Sequence, residues 1–427
     1  MNKRFIILTH FILTILFCSS FISFADVAPA GLTLEEALRI AYRQHPKMIE
    51  ARQEISGSKG RWIQAEALPD PELEMDIGGF KKHATEENGK QVRDAKLDSF
   101  AIRQPLDPLG TRFLKGRMAH DEVNIAKGER LLIWGEIRKK IIELYARILA
   151  EEKAVEIGKD NLNVTRQFFT NVQTRFQTSN ALRSDMIRAK IEVSRAENDM
   201  LISQKNWKVS MGEMNLSLGR PVDTPLSLSD SLSYEKLHYE YEKIRKEALV
   251  QRADIHNEMT RLSMRKKGLW SALLKTFFPK MAIGIQRTTQ DFDNDTAILL
   301  SASYPLWGLN WGQIKEAKAE KQKQAVHLDA LKQQVSLEVY QAFLEAELAD
   351  KQVVLQKQAL EEANELLRQV NLQYQQGEIP FLNYLENIKA IKETRLAYFN
   401  ALKNHKEKIA ELEKVIQATP IPIGAKP

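Results

Sequence analysis

The chain contains one cysteine, Cys18, in 427 residues. It lies in an apolar N-terminal run, so neither disulfide stapling nor thiol chemistry is expected of the mature protein. Phe17 and Leu16 precede it where a lipid-attachment site would want a small residue, so lipidation is not expected either. The eight histidines are scattered, and none pairs with another at metal-ligand spacing. A Gly-x-Ser-x-Gly elbow, a phosphate-binding loop and a dinucleotide fingerprint are missing. Asp291, Asp293 and Asp295 echo the start of a calcium loop but lack its glycine and closing glutamate, which leaves an acidic surface loop. No enzyme, cofactor or metal site is expected. Beyond the N-terminus no stretch supplies the roughly 20 apolar residues of a membrane-spanning helix. Net charge is also small, +6, and the basic residues alternate with acids along helical faces, which argues against nucleic acid as a partner.

The N-terminus itself is informative. Lys3 and Arg4 are followed by the apolar run 5–24, with Ser23 and Ala25 at the positions a signal peptidase reads. This is the pattern of a secretory signal peptide spanning 1–25, with an uncleaved anchor as the alternative. Removing Lys3 and Arg4 lowers the net charge by two, to +4. The exported product is periplasmic, secreted, or in a membrane as β-strands.

Gln313 to Gln376 contains neither glycine nor proline and is dense in strong helix formers. It predicts one helix of roughly 95 Å. Its seam positions, apolar but for Gln356, are Leu328, Leu331, Val335, Val339, Ala342, Ala346, Ala349, Val353, Gln356, Leu360, Ala363, Leu367, Val370 and Tyr374. Their steps of three and four make a coiled-coil seam with one shift of register at Val335–Val339. A helix this long needs long neighbours.

The chain repeats one plan twice. The first copy, 26–220, opens with a capping box at Thr33 and Glu36 and a helix to about Leu68, ended by Pro69 and Pro71. Alternation predicts strands at 71–80 and 97–106 around a charged loop. A long helix follows, Leu109 to about Thr178, then a turn near 179–181 and a further helix. After a connector at 221–234, the second copy, 235–416, has a helix to Pro279, strands at 279–287 and 298–306, the long helix, a turn near 377–380 and a last helix. The tail 417–427 is irregular. Leu109–Thr178 spans roughly 105 Å, the helices 182–218 and 235–277 together roughly 120 Å, and 33–67 with 381–417 roughly 108 Å. Two long helices thus match two stacked pairs of half-length helices, in a tube wall about 100 Å tall with all strands at one end and both turns at the other.

The strands have one apolar and one polar or small face and the length of transmembrane β-strands, although an ordinary soluble sheet fits the pattern alone. Export and the lack of a separate β-core favour the membrane. Four strands cannot close around a pore, but three copies would supply twelve. At the opposite end, Arg175–Asp185 and Gln373–Asn383 occupy equivalent places. Gly377 supplies the left-handed residue a helix reversal needs, and Asn180 is the next best choice. Such tips are natural docking points for a partner's helices.

At this point the chain resembles the TolC-type outer-membrane efflux proteins over essentially all of the mature sequence. The resemblance rests on Leu34-Glu-Glu-Ala-Leu, Ala67-Leu-Pro-Asp-Pro-Glu-Leu, Gln104-Pro-Leu-Asp-Pro-Leu-Gly-Thr-Arg, Arg252-Ala-Asp-Ile and both tip motifs, in that order. It implies a mainly α fold with membrane β: a homotrimer with a shared twelve-stranded β-barrel and a long periplasmic α-helical, coiled-coil barrel. It also implies a passive exit duct in outer-membrane lipid, docked by a periplasmic adaptor and an inner-membrane pump. The docking tips would be Ser179, Asn180 and Ala181 in one copy and Gly377, Glu378 and Ile379 in the other. The family's aperture carboxylates fall on Asn383 and Glu386, with Asp185 and Arg188 at the first-copy places. One acid is therefore an amide here, and Ser179 stands where the family usually has glycine. Glu386 near a threefold axis would favour cations; the alternative is a helix-surface residue in a salt bridge. Around Leu68-Pro-Asp-Pro-Glu-Leu the sequence is also similar to outer components of metal-cation efflux systems. The rival functional readings are a periplasmic adaptor, which would carry one hairpin within many-stranded β-domains, and a structural coiled-coil protein of the envelope.

Overall fold

The computed structural model describes residues 31–78, 96–107, 110–178, 182–290, 293–304 and 310–418. The expected signal peptide, the tip residues Ser179, Asn180 and Ala181, and most of the charged loop expected between the first two strands lie outside them. Along the chain run α1 (Leu34–Gln44), α2 (Pro46–Glu66), β1 (Glu72–Gly78), β2 (Lys96–Leu106), α3 (Thr111–Gln177) and α4 (Arg183–Ser217). There follow α5 (Tyr241–Gln251), α6 (Ala253–Phe277), β3 (Lys280–Gln290), β4 (Asp293–Ser303), α7 (Trp311–Gln376) and α8 (Phe381–Val415). The four strands form one antiparallel sheet in chain order. Among the described residues no helix is long and apolar enough to cross a membrane.

Three boundaries depart from expectation. The first helix breaks at His45, which is extended (φ −61°, ψ 130°) and is both the C-cap of α1 and the N-cap of α2. Pro46 is the cause: it has no N–H to continue the helix and excludes the helical conformation from the residue before it. The second copy breaks at the matching place, Arg252 (φ −63°, ψ 127°), without a proline. Its helix starts at Tyr241 rather than near 235, because the Leu237 N–H donates to Asp350 Oδ1 at 3.2 Å and is diverted from a helical ladder. Third, β4 begins at Asp293, so Asp293 and Asp295 lie in a strand rather than in an acidic loop.

α3 and α7 carry the seams. Every seam position named above on α7 is buried or half-buried, and Val335, Val339, Ala342, Ala346, Ala349 and Val353 are fully so. Displaced by 198 residues, Ile137, Ile141, Leu144, Ile148 and Val155 form the same stripe on α3. Three apolar clusters lie along the rod. The first joins α1, α3 and the end of α4 through Tyr42, Trp134, Leu144 and Met214; the second joins α5, α7 and α8 through Ile244, Val339 and Leu412. The third, near the turn, joins Phe168, Ala189, Val370, Tyr384 and Ile388.

The half-length helices stack differently from the pairing the length sums suggested. α8 runs into α6: the Ala253 N–H donates to Gln417 Oε1 (2.5 Å) and Arg252 Nη1 to the Val415 carbonyl (3.3 Å). α4 runs into α2: Gly219 (φ 73°) lies against the Gln44 carbonyl, and Met214 and Leu218 share a cluster with Tyr42 and Met48. All four segments have similar lengths, so length alone could not tell one pairing from the other. The result is a wall with helices in the order α2–α3–α6–α7 in the strand-side half and α4–α3–α8–α7 in the turn-side half.

Candidate functional site

The sheet has two unlike faces. Leu73, Ile102, Ile285 and Ile298 are register partners and form an apolar ladder across all four strands, every rung exposed. Leu300 and Ile283 form the next pair on the same face and are exposed too. The opposite face carries Glu74, Asp76, Ser99, Arg103, Gln286 and Ser301. Arg103 pairs with Glu74 at 2.7 Å, and Ser99 donates to Asp76 Oδ2 at 2.7 Å. Gly284 leaves room for the arginine, since a Cβ there would meet Arg103 Cγ at 3.0 Å and the Ile102 carbonyl at 2.4 Å. Ala101 and Gly284 are buried on this polar face, which marks it as the concave side of a curling sheet. An apolar outside and a polar inside are the two faces of a barrel strand in lipid.

The helical wall has a concave side as well. One cavity of about 650 Å³ is reached by all four strand-side helices, through Glu54 of α2, Glu122 and Glu129 of α3, Arg261 and Arg265 of α6, and Glu316 and Glu320 of α7. A second, of about 780 Å³, lies nearer the turn between α3, α8 and α7, lined by Glu136, Lys139, Glu143, Glu338, Glu345 and Glu407 among others. At 100° per residue the two use the same face of α3 and the same face of α7. Burial pushes the Glu407 carboxyl up, whereas Lys139 and Lys414 overcome burial to hold Glu411 below the usual carboxylate range. Carboxylates outnumber cations on this face. Among the described residues no group of His, Cys, Asp or Glu is arranged to hold a metal ion.

At the turn, Gly377 caps α7 in the left-handed conformation (φ 76°), and the Glu378 N–H donates to the Gln373 carbonyl at 2.8 Å. Asn383 and Glu386 are exposed, on the side of α8 away from buried Tyr384 and Ile388. They lie on the face of α8 that lines the second cavity through Glu407 and Glu411, and among the described residues Glu386 enters no ion pair. Asp185 is half-buried and Arg188 exposed on α4. The structure therefore brings Asn383 and Glu386 onto the concave side and leaves Asp185 and Arg188 on another helix.

Residues 244–416 match the family described as Outer membrane efflux protein. The second copy of the plan thus carries that family's signature. A relative, the cobalt-zinc-cadmium resistance protein CzcC of Cupriavidus metallidurans, is 18% identical over 401 residues, 92% of each chain. The solved structure of the CmeC outer membrane channel of Campylobacter jejuni is similar with TM-score 0.77 at 12% identity, covering 91% of this chain and 86% of that one. The outer membrane protein VceC of Vibrio cholerae gives 0.71 at 17% identity (90% and 96% covered), and the MtrE outer membrane channel of Neisseria gonorrhoeae 0.74 at 18% (90% and 88%). This efflux protein is thus a transport protein of the outer membrane with the TolC-like fold, not an enzyme.

Several groups that shape the efflux protein escaped the sequence reading. Tyr374 and Tyr384 stack at 4.4 Å across the turn, with Phe168 5.7 Å from the first and 6.2 Å from the second. Their positions either side of Gly377 were visible, but not that the turn would superpose them. Arg252 joins Asp254 (2.6 Å) and Glu338 (2.7 Å) at the α6–α8 joint; the Arg-Ala-Asp-Ile motif pointed to it without giving its partner on α7. His405, fully buried, lies 3.3 Å from Asp350 and beside the Tyr234 ring, and nothing in its sequence neighbourhood signals this.

Proposed function

We propose that three copies of this efflux protein close into a duct, the passive exit of a tripartite efflux system whose adaptor docks at the helical turns. One observation carries the reading. On α3, Ile142, Ala146, Ala150, Ile157 and Phe168 form a second buried stripe, at most 8% exposed, against the other half of the chain. Their counterparts 198 residues later, Tyr340, Leu344, Leu348, Leu355 and Leu366 on α7, are 37–63% exposed. Tyr340 meets the Tyr241 ring of α5 at one end of the stripe, but for the leucines beyond it the two-copy plan demands a long helical neighbour that the described residues do not supply. The matching edge of a second copy is α2 and α4, where Ile187 is exposed although its counterpart Leu385 is buried. Repeating the contact around an axis brings four strands and four wall helices per copy into a closed ring, and three copies give about twelve strands, enough to surround a lumen.

The Gly377, Glu378 and Ile379 turn, with Ser179, Asn180 and Ala181 in the first copy, is the docking surface for the adaptor, and Asn383 and Glu386 line the narrow end. The name of CzcC and the carboxylate excess on the concave face make metal cations the substrate class to test first. Expression of the protein in a strain lacking its own channel should restore zinc, cobalt or cadmium efflux only together with a matching adaptor and pump. Restored efflux without them would contradict the tripartite role. A water-soluble monomer that restores nothing would favour the structural coiled-coil reading.

A further inference from the structure

On the face of the wall opposite the charged cavities lies a third hollow of about 860 Å³, at the strand-side end, lined by Trp62, Arg112, Phe113, Arg117, His120 and Lys267 among others. On α3 it uses residues 113, 117 and 120, whereas the concave cavity uses 118, 122 and 129, a half-turn away. This hollow therefore faces outward. Around it the wall is aromatic: Phe113, Trp270, Phe277 and Trp311 are each 59–63% exposed. By helical period all four lie on the outward face, within a few turns of the strands. Phe113 is the third residue of α3, Phe277 the last of α6 and Trp311 the first of α7.

The hollow's charges are arranged unequally. Arg117 lies over the Phe113 ring at 4.7 Å and has no carboxylate partner among the described residues. Arg112 donates through Nε to the Glu66 carbonyl (2.9 Å), a neutral acceptor that leaves its charge uncancelled. Two carboxylates also line the hollow, Glu66, which accepts from Trp62 Nε1 at 2.8 Å, and Asp121, which pairs with Lys267, so three cations face two carboxylates there. On the same outward face Lys59, Lys266, Lys315 and Lys318 are without ion-pair partners among the described residues, three of them within two turns of Trp270 or Trp311.

We propose that this hollow binds an anionic inner-leaflet phospholipid headgroup by its phosphate, with Arg112 and Arg117 as the anion ligands, no ammonium on the headgroup to oppose them, and Trp62 and Phe113 against the glycerol and upper acyl chain. The inference rests on the sheet being in the outer membrane. Exposed aromatics belong at the boundary of hydrocarbon and headgroup, where one side of a ring is apolar and the other wet. Here the belt directly adjoins the exposed apolar ladder of the strands, so the arginines fall at headgroup depth. Anionic headgroups attract Lys and Arg at the surface, and the guanidinium fork suits phosphate.

The test is lipid retention. Full-length protein is reconstituted into bilayers of phosphatidylcholine with or without an equal part of phosphatidylglycerol, extracted gently, and analysed by native mass spectrometry. Each basic residue near an anionic surface contributes roughly fivefold in affinity. Wild type should retain phosphatidylglycerol over phosphatidylcholine, and R112Q/R117Q should lose about 25-fold of that preference. R117Q, whose guanidinium lies over Phe113 and enters no ion pair among the described residues, should lose about fivefold and guards against misfolding of the double variant. Wild type that inserts but shows no preference, or variants that keep it, would overturn the headgroup site and leave the duct standing. Displacement of the lipid by millimolar inorganic phosphate would make it a free-phosphate site and also overturn the proposal. Failure to insert in either bilayer would instead contradict the outer-membrane reading itself.

Discussion

Arg252 does at one residue what proline does at the equivalent place in the first copy. Its guanidinium holds Asp254, Glu338 and the Val415 carbonyl, so it fixes the break between α5 and α6 and ties the end of α8 to α7. Burial opposes its charge, but the two carboxylates outweigh it and raise its pKa. Arg252→Met would remove the cation shared by two half-buried carboxylates, leaving Asp254 the Ile255 N–H and Glu338 the Gln334 amide; their partial exposure sets the expected loss at about 1–3 kcal/mol, below that of a fully buried pair. Chemical unfolding followed by helical circular dichroism should show that loss.

His405 presents the reverse case. Its ring is fully buried, and its pKa is lowered, mainly by burial, with Lys406 adding to the effect and Asp350 and Glu235 opposing it. Tyr234, which donates to the same Asp350 at 3.0 Å, completes the surroundings. A histidine that binds protons more weakly folded than unfolded stabilises above the unfolded value of about 6.5 and loses that contribution as the pH falls below it. The protein should therefore weaken below about pH 6.5, and His405→Gln should flatten that part of the profile in thermal melts across pH. A variant as acid-sensitive as wild type would assign the weakness elsewhere.

At the scale of elements, the turn and the strands make separate predictions. Gly377 has φ 76° and no atom within 4 Å of where a Cβ would stand, so Gly377→Val brings conformational strain without a clash. The cost is about 1–2 kcal/mol, too little to unfold a rod of this size. Folding should survive while efflux and adaptor cross-linking fall; unchanged efflux with intact cross-linking would remove the turn from the docking surface. On the sheet, Ile298→Arg places a charge on the outermost rung of the apolar ladder and should cost about 2–4 kcal/mol of folding in lipid, read by urea titration in vesicles. In a sheet bathed by water the same change would be nearly neutral.

The elements were also where the sequence was most legible. α7 could be placed to within two residues of its start, because the run from Gln313 to Gln376 without a glycine or proline and a three–four seam admit little else. Strand positions followed from alternation, but β4 begins five residues before its expected start, since Asp293 to Asp295 are polar and carry no apolar phase to read. The break at His45 is written locally in Pro46, but the break at Arg252 and the stacking of α8 on α6 were not legible. They depend on which long helix lies alongside, and a local pattern does not record that. For the candidate site, the tip glycine could be found from the helix reversal and Glu386 from the family resemblance; the face of α8 that Glu386 shares with the second cavity could not.

For the whole molecule, the asymmetry between the two long helices is the decisive feature. Among the described residues α3 has long helices on both sides within its own chain, and α7 has them on one. The exposed stripe on α7 is apolar and follows the heptad spacing of a helix that expects a partner. Changing exposed residues there should alter a monomer's stability by no more than about 0.5 kcal/mol. Any larger effect must come through contact with another copy. L344E/L348E therefore separates association from folding, and native mass spectrometry of the detergent-extracted protein is the measurement that bears on it most directly. Wild type is predicted to fly as a trimer, and L344E/L348E as a monomer with unchanged helical content. A wild-type monomer, or a variant that remains trimeric, would contradict the closed duct.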